Sequence, residues 1–212
     1  MSEYGYIPES PAQSWVSNKG IFTPNDIYDL TRDDKFKNLG QLELIETKTG
    51  SGVSAIDFTD IKSSTYDVHF MTVTGFVPTQ DGQPFGIRLS NDGSTFISSG
   101  YNWANLTYRG GGTFADNRST SSSYLEVGRL CGNDTNEKLS AYIYFYHLGD
   151  STKYSFLTSQ STYYNEFGEQ MGSFGSSAYP TTSQVNGIRL CTTSNNITVT
   201  AVTLYGIKMY KS

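Results

Sequence analysis

From Gln41 onward the apolar residues of this chain recur with a period of two, and no helical period interrupts them. Leu42 and Leu44 flank Glu43. Val68, Phe70, Thr72 and Thr74 alternate with Asp67, His69, Met71 and Val73. Leu139, Ala141, Ile143 and Phe145 alternate with Ser140, Tyr142, Tyr144 and Tyr146. Successive side chains of a strand point to opposite faces, so each of these runs predicts a strand. Further strands are predicted near 53–58, 85–90, 124–130, 154–161, 187–192 and 197–208, separated by turns such as Asp81-Gly82 and Asn91-Asp92-Gly93. Parallel strands need long crossovers, usually helical, and none is present here. The expected fold is therefore all-β, an antiparallel jelly-roll-like β-sandwich of about nine or ten strands. In the last strand Ile197, Val199 and Ala201 share one parity and Val202 and Leu204 the other, which predicts either a bulge near Ala201 or a strand covered on both faces.

The N-terminal part follows other rules. Pro8, Pro11, Gly5 and Gly20 break every possible period in residues 1 to 22, which predicts an extended arm. Thr23-Pro24-Asn25-Asp26 then supplies a hydroxyl N-cap, a proline at the first helical position and a carboxylate in the first turn, predicting a short helix over 24–36 that Asn38-Leu39-Gly40 stops. The expected organisation is an anchoring arm with one short helix (1–39) and a β-sandwich domain (40–212). Tyr4, Tyr6, Ile7, Trp15, Ile21 and Phe22 give the arm apolar anchors but no core of its own, so the expectation is that it docks on another protein.

Only 17% of the residues are charged, against roughly 25% in an average chain, so uncharged polar groups and tyrosines must build much of the surface. The net charge is -5 and no basic stripe appears, which argues against a nucleic-acid partner. No run approaches the roughly 20 apolar residues of a membrane-spanning helix, and the first residues lack the positive and apolar segments of a secretory signal, so folding in a cytoplasm is expected. Two Cys and two His offer neither a disulfide framework nor a zinc cluster. No metal or cofactor is expected.

Catalysis finds no support in the motifs. GxSxG is absent, His69 and His147 read as packed or edge histidines, and no pair stands out among Asp57, Asp60, Glu126, Glu166 and Glu169 as a glycosidase would need. The oxygen-rich run Asn133 to Glu137 reads as a turn rather than a calcium loop. The chain is expected not to be an enzyme.

Aromatic residues beside amides and hydroxyls are more informative. Tyr101 and Trp103, and Tyr163 and Tyr164, fall in segments (99–105 and 162–167) that look like connections. Rings there suit the apolar faces of sugars, and equally a subunit interface. Tyr142, Tyr144 and Tyr146 form an outward aromatic ladder, to be covered by loops of the same domain or by another subunit.

The opening Gly5-Tyr6-Ile7-Pro8-Glu9-Ser10-Pro11-Ala12-Gln13-Ser14, the segment Asn18-Lys19-Gly20-Ile21-Phe22-Thr23-Pro24-Asn25-Asp26-Ile27 and the closing Leu204-Tyr205-Gly206-Ile207-Lys208 resemble virion structural proteins of tailed phages, especially marine and cyanobacterial ones. The resemblance implies location in the virion, an arm docked on other virion proteins and a sandwich displayed outward. It also implies a homo-oligomer, with a trimer expected. A tail fibre or adhesin contacting host-surface glycans is the leading expectation. A head decoration protein clamping neighbouring capsid subunits is the alternative, and a capsular polysaccharide hydrolase or a stand-alone carbohydrate-binding module represents other classes.

Overall fold

The computed structural model describes residues 13–14, 17–18, 23–33 and 42–207, and the chain divides into two units, Met1–Gln41 and Leu42–Ser212. In the first, strands β1 (Gln13–Ser14) and β2 (Ser17–Asn18) pair antiparallel. Helix α1 spans Pro24–Arg32. Thr23 Oγ1 accepts the Asp26 N–H at 3.2 Å, and Asp26 Oδ2 accepts the Thr23 N–H at 2.8 Å and its hydroxyl at 2.6 Å, a reciprocal capping arrangement. These bonds from Thr23 hold the Asp26 carboxyl below the usual carboxylate range. The helix stops at Arg32 rather than at residue 36. Asp33 donates a backbone bond to Asp29 O at 2.9 Å, and its carboxylate adds negative charge at the helix end that already carries it. The expected arm anchors Tyr4, Tyr6, Ile7, Trp15, Ile21 and Phe22 lie outside the described residues.

The second unit contains β3 (Leu42–Val53), β4 (Ile56–Phe58), β5 (Val68–Pro78), β6 (Gln83–Ser90), β7 (Tyr101–Arg109), β8 (Phe114–Ser122), β9 (Leu125–Cys131), β10 (Leu139–Tyr146), β11 (Ser155–Tyr164), β12 (Gln170–Tyr179), β13 (Gly187–Cys191) and β14 (Ile197–Ile207). They form a larger sheet of order β3-β14-β5-β10-β11-β12-β7-β8 and a smaller one of order β4-β13-β6-β9, antiparallel throughout. The connections β3 to β4, β5 to β6, β9 to β10 and β13 to β14 each pass from one sheet to the other. Four strands, β3-β14-β5-β10, thereby oppose β4-β13-β6-β9 in the double Greek-key pattern of a jelly roll. The hairpins β7–β8 and β11–β12 are insertions into this pattern. Both add beyond β10 and extend the larger sheet by four strands.

The core lies between the sheets. Ile143, Phe145, Val202 and Leu204 come from the larger one, and Phe58, Ile87, Leu89, Val127, Ile188 and Leu190 from the smaller, while the Phe76 and Phe85 rings meet across them at 4.5 Å. The alternation in β10 sorts as its sequence predicts, with Leu139, Ala141, Ile143 and Phe145 buried and Tyr142, Tyr144 and Tyr146 on the other face. The predicted strand 53–58 is instead two elements, because β3 ends at Val53 and β4 belongs to the opposite sheet.

The parity change in the last strand is a bulge. Val199 and Val202 of β14 face Gly50 and Lys48 of β3, so three steps oppose two. The irregularity passes to β5, where Phe76 and Val73 face Leu139 and Ala141 of β10. Gly75 makes the second bulge possible. Its φ is 69°, and a Cβ there would stand 2.3 Å from Thr200 Oγ1. Gly75→Ala is expected to cost about 1–3 kcal/mol of stability, read as a lower urea midpoint at unchanged slope.

Candidate functional site

The outer face of the larger sheet carries the most developed concavity among the described residues, and the strand register explains its shape. One row of outward side chains crosses all eight strands: Leu44, Tyr205, Phe70, Tyr144, Thr158, Ser176, Ala104 and Arg118. Rings dominate the β14, β5 and β10 part, whereas β11, β12 and β7 contribute small side chains. The row beside it runs Tyr142, Gln160, Phe174, Leu106, Asp116. The row on the other side runs Tyr146, Phe156, Ala178, Asn102. Thr158, Ser176 and Ala104 are therefore a low floor between taller neighbours.

Three adjoining hollows result. The largest, about 770 Å³, lies over that floor between the tyrosines of β10 and Asp116, Asn117 and Arg118 of β8. A second, about 440 Å³, shares Tyr146, Thr158, Ser176, Ala104 and Arg118 with it and continues to Phe156 and Asn102. A third, about 420 Å³, begins at Tyr142 and Gln160 and reaches Phe70, Thr72 and Thr162. Volumes of this size suit small-molecule sites.

The tyrosines are held as a rigid wall. Neighbouring ring centroids stand 6.4 Å apart between Tyr142 and Tyr144 and 6.5 Å between Tyr144 and Tyr146, as the two-residue rise of a strand, about 6.6 Å, requires. Phe70 packs on Tyr144 at 4.7 Å. Tyr142 donates its hydroxyl to Gln160 Oε1, and the Tyr146 and Thr158 hydroxyls bond at 3.2 Å. Among the described residues, the charged ones lining the three hollows are Asp116 and Arg118, and these pair with each other at 3.6 Å. The surface thus presents ring faces, hydroxyls and amides with almost no net charge.

The aromatics expected on sugar-binding loops are placed differently. Tyr101 and Trp103 lie in β7 and Tyr163 and Tyr164 in β11, so none of the four is on a connection. Tyr101, Trp103 and Tyr163 point inward, with only 0%, 7% and 3% of their surface exposed, which removes them as sugar contacts because no ring face is accessible. Tyr163 instead accepts the Arg129 N–H at 3.0 Å. Tyr164 is 44% exposed, beside a separate hollow formed with Asp134, Thr135, Asn136 and Glu137. In that turn a Glu137 carboxylate oxygen accepts the Asp134 N–H at 3.1 Å.

The inner face of the inserted strands β7, β11 and β12 carries many buried polar groups, and the edge strand β8 has no buried residue, which is what hid β7, β8 and β12 from a hydrophobic pattern. Asn105, Thr107, Ser159, Ser161, Ser173 and Ser177 are all buried. They pack over β9, the edge strand of the smaller sheet, and supply bonds to its backbone: Ser161 Oγ donates to Val127 O at 2.9 Å and Asn105 Nδ2 to Glu126 O at 3.0 Å. An exposed sheet edge needs such cover. The groove residues on the opposite side, Thr158, Gln160, Phe174, Ser176, Ala104 and Arg118, were therefore not legible as a set. The one available signal was the unbroken spacing of Phe156, Thr158, Gln160 and Thr162 at every second position.

The carboxylates do not converge. Arg189 holds Asp57 through two bonds of 2.7 Å, Lys62 pairs with Asp60, and Arg109 pairs with Glu169 at 3.0 Å. Glu126 is buried with Arg129 Nη1 at 3.9 Å, and desolvation pushes its pKa up to about 7. Glu166 lies against Gly82. None of the five lines the groove. His69 is buried with Nε2 2.8 Å from Ile61 O; desolvation lowers its pKa, so the neutral ring donates there. His147 stands at φ 61° just after β10. Cys131 and Cys191 are buried free thiols. Among the described residues no cluster of three His, Cys, Asp or Glu could hold a metal ion, and no helix is long and apolar enough to cross a membrane. Comparison with protein-family models, curated proteins and solved structures found no match.

Proposed function

We propose that this chain is a glycan-binding β-sandwich on the surface of a phage particle, a tail-fibre or adhesin module that contacts host-surface sugars without cleaving them. The observation that carries the glycan part is the groove over Thr158, Ser176 and Ala104 with its wall of three tyrosines. Ring faces stack on the apolar C–H patches of sugars, while Gln160, Asn102 and the hydroxyls bond their polar edges. Binding without hydrolysis is favoured because, among the described residues, the groove offers one carboxylate, Asp116, paired with Arg118, where glycosidases use two. The virion setting rests on the resemblance of both chain ends to phage structural proteins. Weak single sites suit such a setting, since many copies on one particle raise avidity.

Tyr144→Ala is expected to weaken binding to a glycan array of bacterial O-chain and capsular polysaccharides by about tenfold or more, with the thermal midpoint close to wild type. Unchanged binding would remove the groove from recognition. A shift in sedimentation without loss of glycan binding would assign Tyr142, Tyr144 and Tyr146 to a contact between subunits instead. Microscopy of the virion tests the setting: density for this chain on the capsid rather than the tail would favour head decoration.

A further inference from the structure

Resting on the glycan reading above, we infer that the groove takes a linear, uncharged oligosaccharide segment of at least three units, lying parallel to β10 with successive sugars facing Tyr146, Tyr144 and Tyr142. The three hollows form a connected series rather than a single pit: the second shares residues with the first, and the third, which shares Tyr142 and Gln160 with the first, crosses β10 to Phe70 and Thr72 of β5. Along β10 the ring centroids repeat every 6.4 to 6.5 Å, a distance on the scale of one sugar and its linkage, with Tyr144 and Tyr146 inclined by 21° and Tyr142 turned 79° from Tyr144. A site for a single terminal sugar would need one enclosed hollow with converging polar groups. Here the polar groups are distributed, with Asn102 at one end, Thr158 in the middle and Gln160 and Thr162 at the other.

Charge decides the chemical class. An acidic glycan would require an uncompensated cation on the path, and among the described residues the cation lining it, Arg118, stands 3.6 Å from Asp116. Both are at the β8 edge, away from the tyrosine wall. Uncharged sugars lose nothing by this arrangement.

The test is an affinity series on the intact chain, using immobilised ladders of neutral gluco-, manno-, xylo- and galacto-oligosaccharides from monosaccharide upward, alongside oligogalacturonate and oligoalginate ladders. Affinity is expected to rise roughly three- to tenfold per added neutral sugar until three are bound, then level off. Tyr142→Ala and Tyr146→Ala should each shorten the rise by one step, with thermal unfolding as the check that both variants fold. Equal affinity for the monosaccharide and the long chain overturns the inference while leaving the glycan reading in place, as does binding confined to the acidic ladders. Binding to no glycan on these ladders or on the polysaccharide array overturns both.

Discussion

Tyr101→Ala is expected to remove about 3–5 kcal/mol of stability, the usual range for deleting a large ring from a core. That is a large fraction of a total that in most domains is about 5–15 kcal/mol. Tyr101 is fully buried, and its ring sits 5.5 Å from that of Tyr179. Its hydroxyl accepts the Leu89 N–H at 2.8 Å and donates to Ile97 O at 3.2 Å. Through these bonds β7 of the larger sheet is fastened to β6 of the smaller one. Tyr101→Phe keeps the ring but strands the Leu89 N–H, and should cost about 1–3 kcal/mol. Urea unfolding of the two variants separates ring from hydroxyl. A loss below about 1 kcal/mol for the alanine variant would contradict a core role.

The second large effect is a dependence of stability on pH. Glu126 has 2% of its surface exposed, and burial raises its pKa from an ordinary 4.5 to about 7, with Arg129, Asn105 and Tyr124 only partly compensating. Between those values the folded chain keeps a proton that the unfolded chain releases, so stability falls as pH rises from 4.5 to 7 and the loss is complete above 7. A shift of this size corresponds to roughly 3 kcal/mol. His69 acts in the opposite sense. Its folded pKa lies below the ordinary 6.5, so its contribution is lost as pH falls below 6.5 and the unfolded chain takes up the proton. Glu126→Gln isolates the first effect. The difference between wild-type and variant unfolding free energies should change with pH from 4.5 to 7 and be flat above 7. A difference that does not vary with pH would mean that Glu126 ionises normally in the folded chain.

Both predictions depend on the inserted strands, which the sequence describes least well. Strands of the jelly roll proper announce themselves because one face is aliphatic, as in Leu139, Ala141, Ile143 and Phe145, and local chemistry was equally direct at Thr23, Pro24 and Asp26, which start a helix by their own bonds. The inserted β12, by contrast, reads QMGSFGSSAY, with serine and glycine where an inward-facing strand would ordinarily be aliphatic. On the same buried face Asn105 and Ser161 find partners on the backbone of the β9 edge, whereas the Ser177 hydroxyl has none among the described residues. Nothing local records that partnership. Tyr101 and Tyr163 were misplaced for the same reason: a tyrosine beside Asn and Ser resembles an exposed one until the groups that bond its hydroxyl, from Leu89 and Arg129, are in position.

The sequence by itself determined the class of fold, the outward tyrosine ladder and the helix start, because periodicity and capping act over a few residues and need no distant partner. Tertiary structure alone decided that two separate hairpins extend one sheet beyond β10, and so that Thr158, Ser176, Ala104 and Arg118, up to 72 positions apart in the chain, share one row beside Tyr144. The groove is a product of strand register, and the pairing that completes it, β12 with β7, joins segments that are remote in sequence.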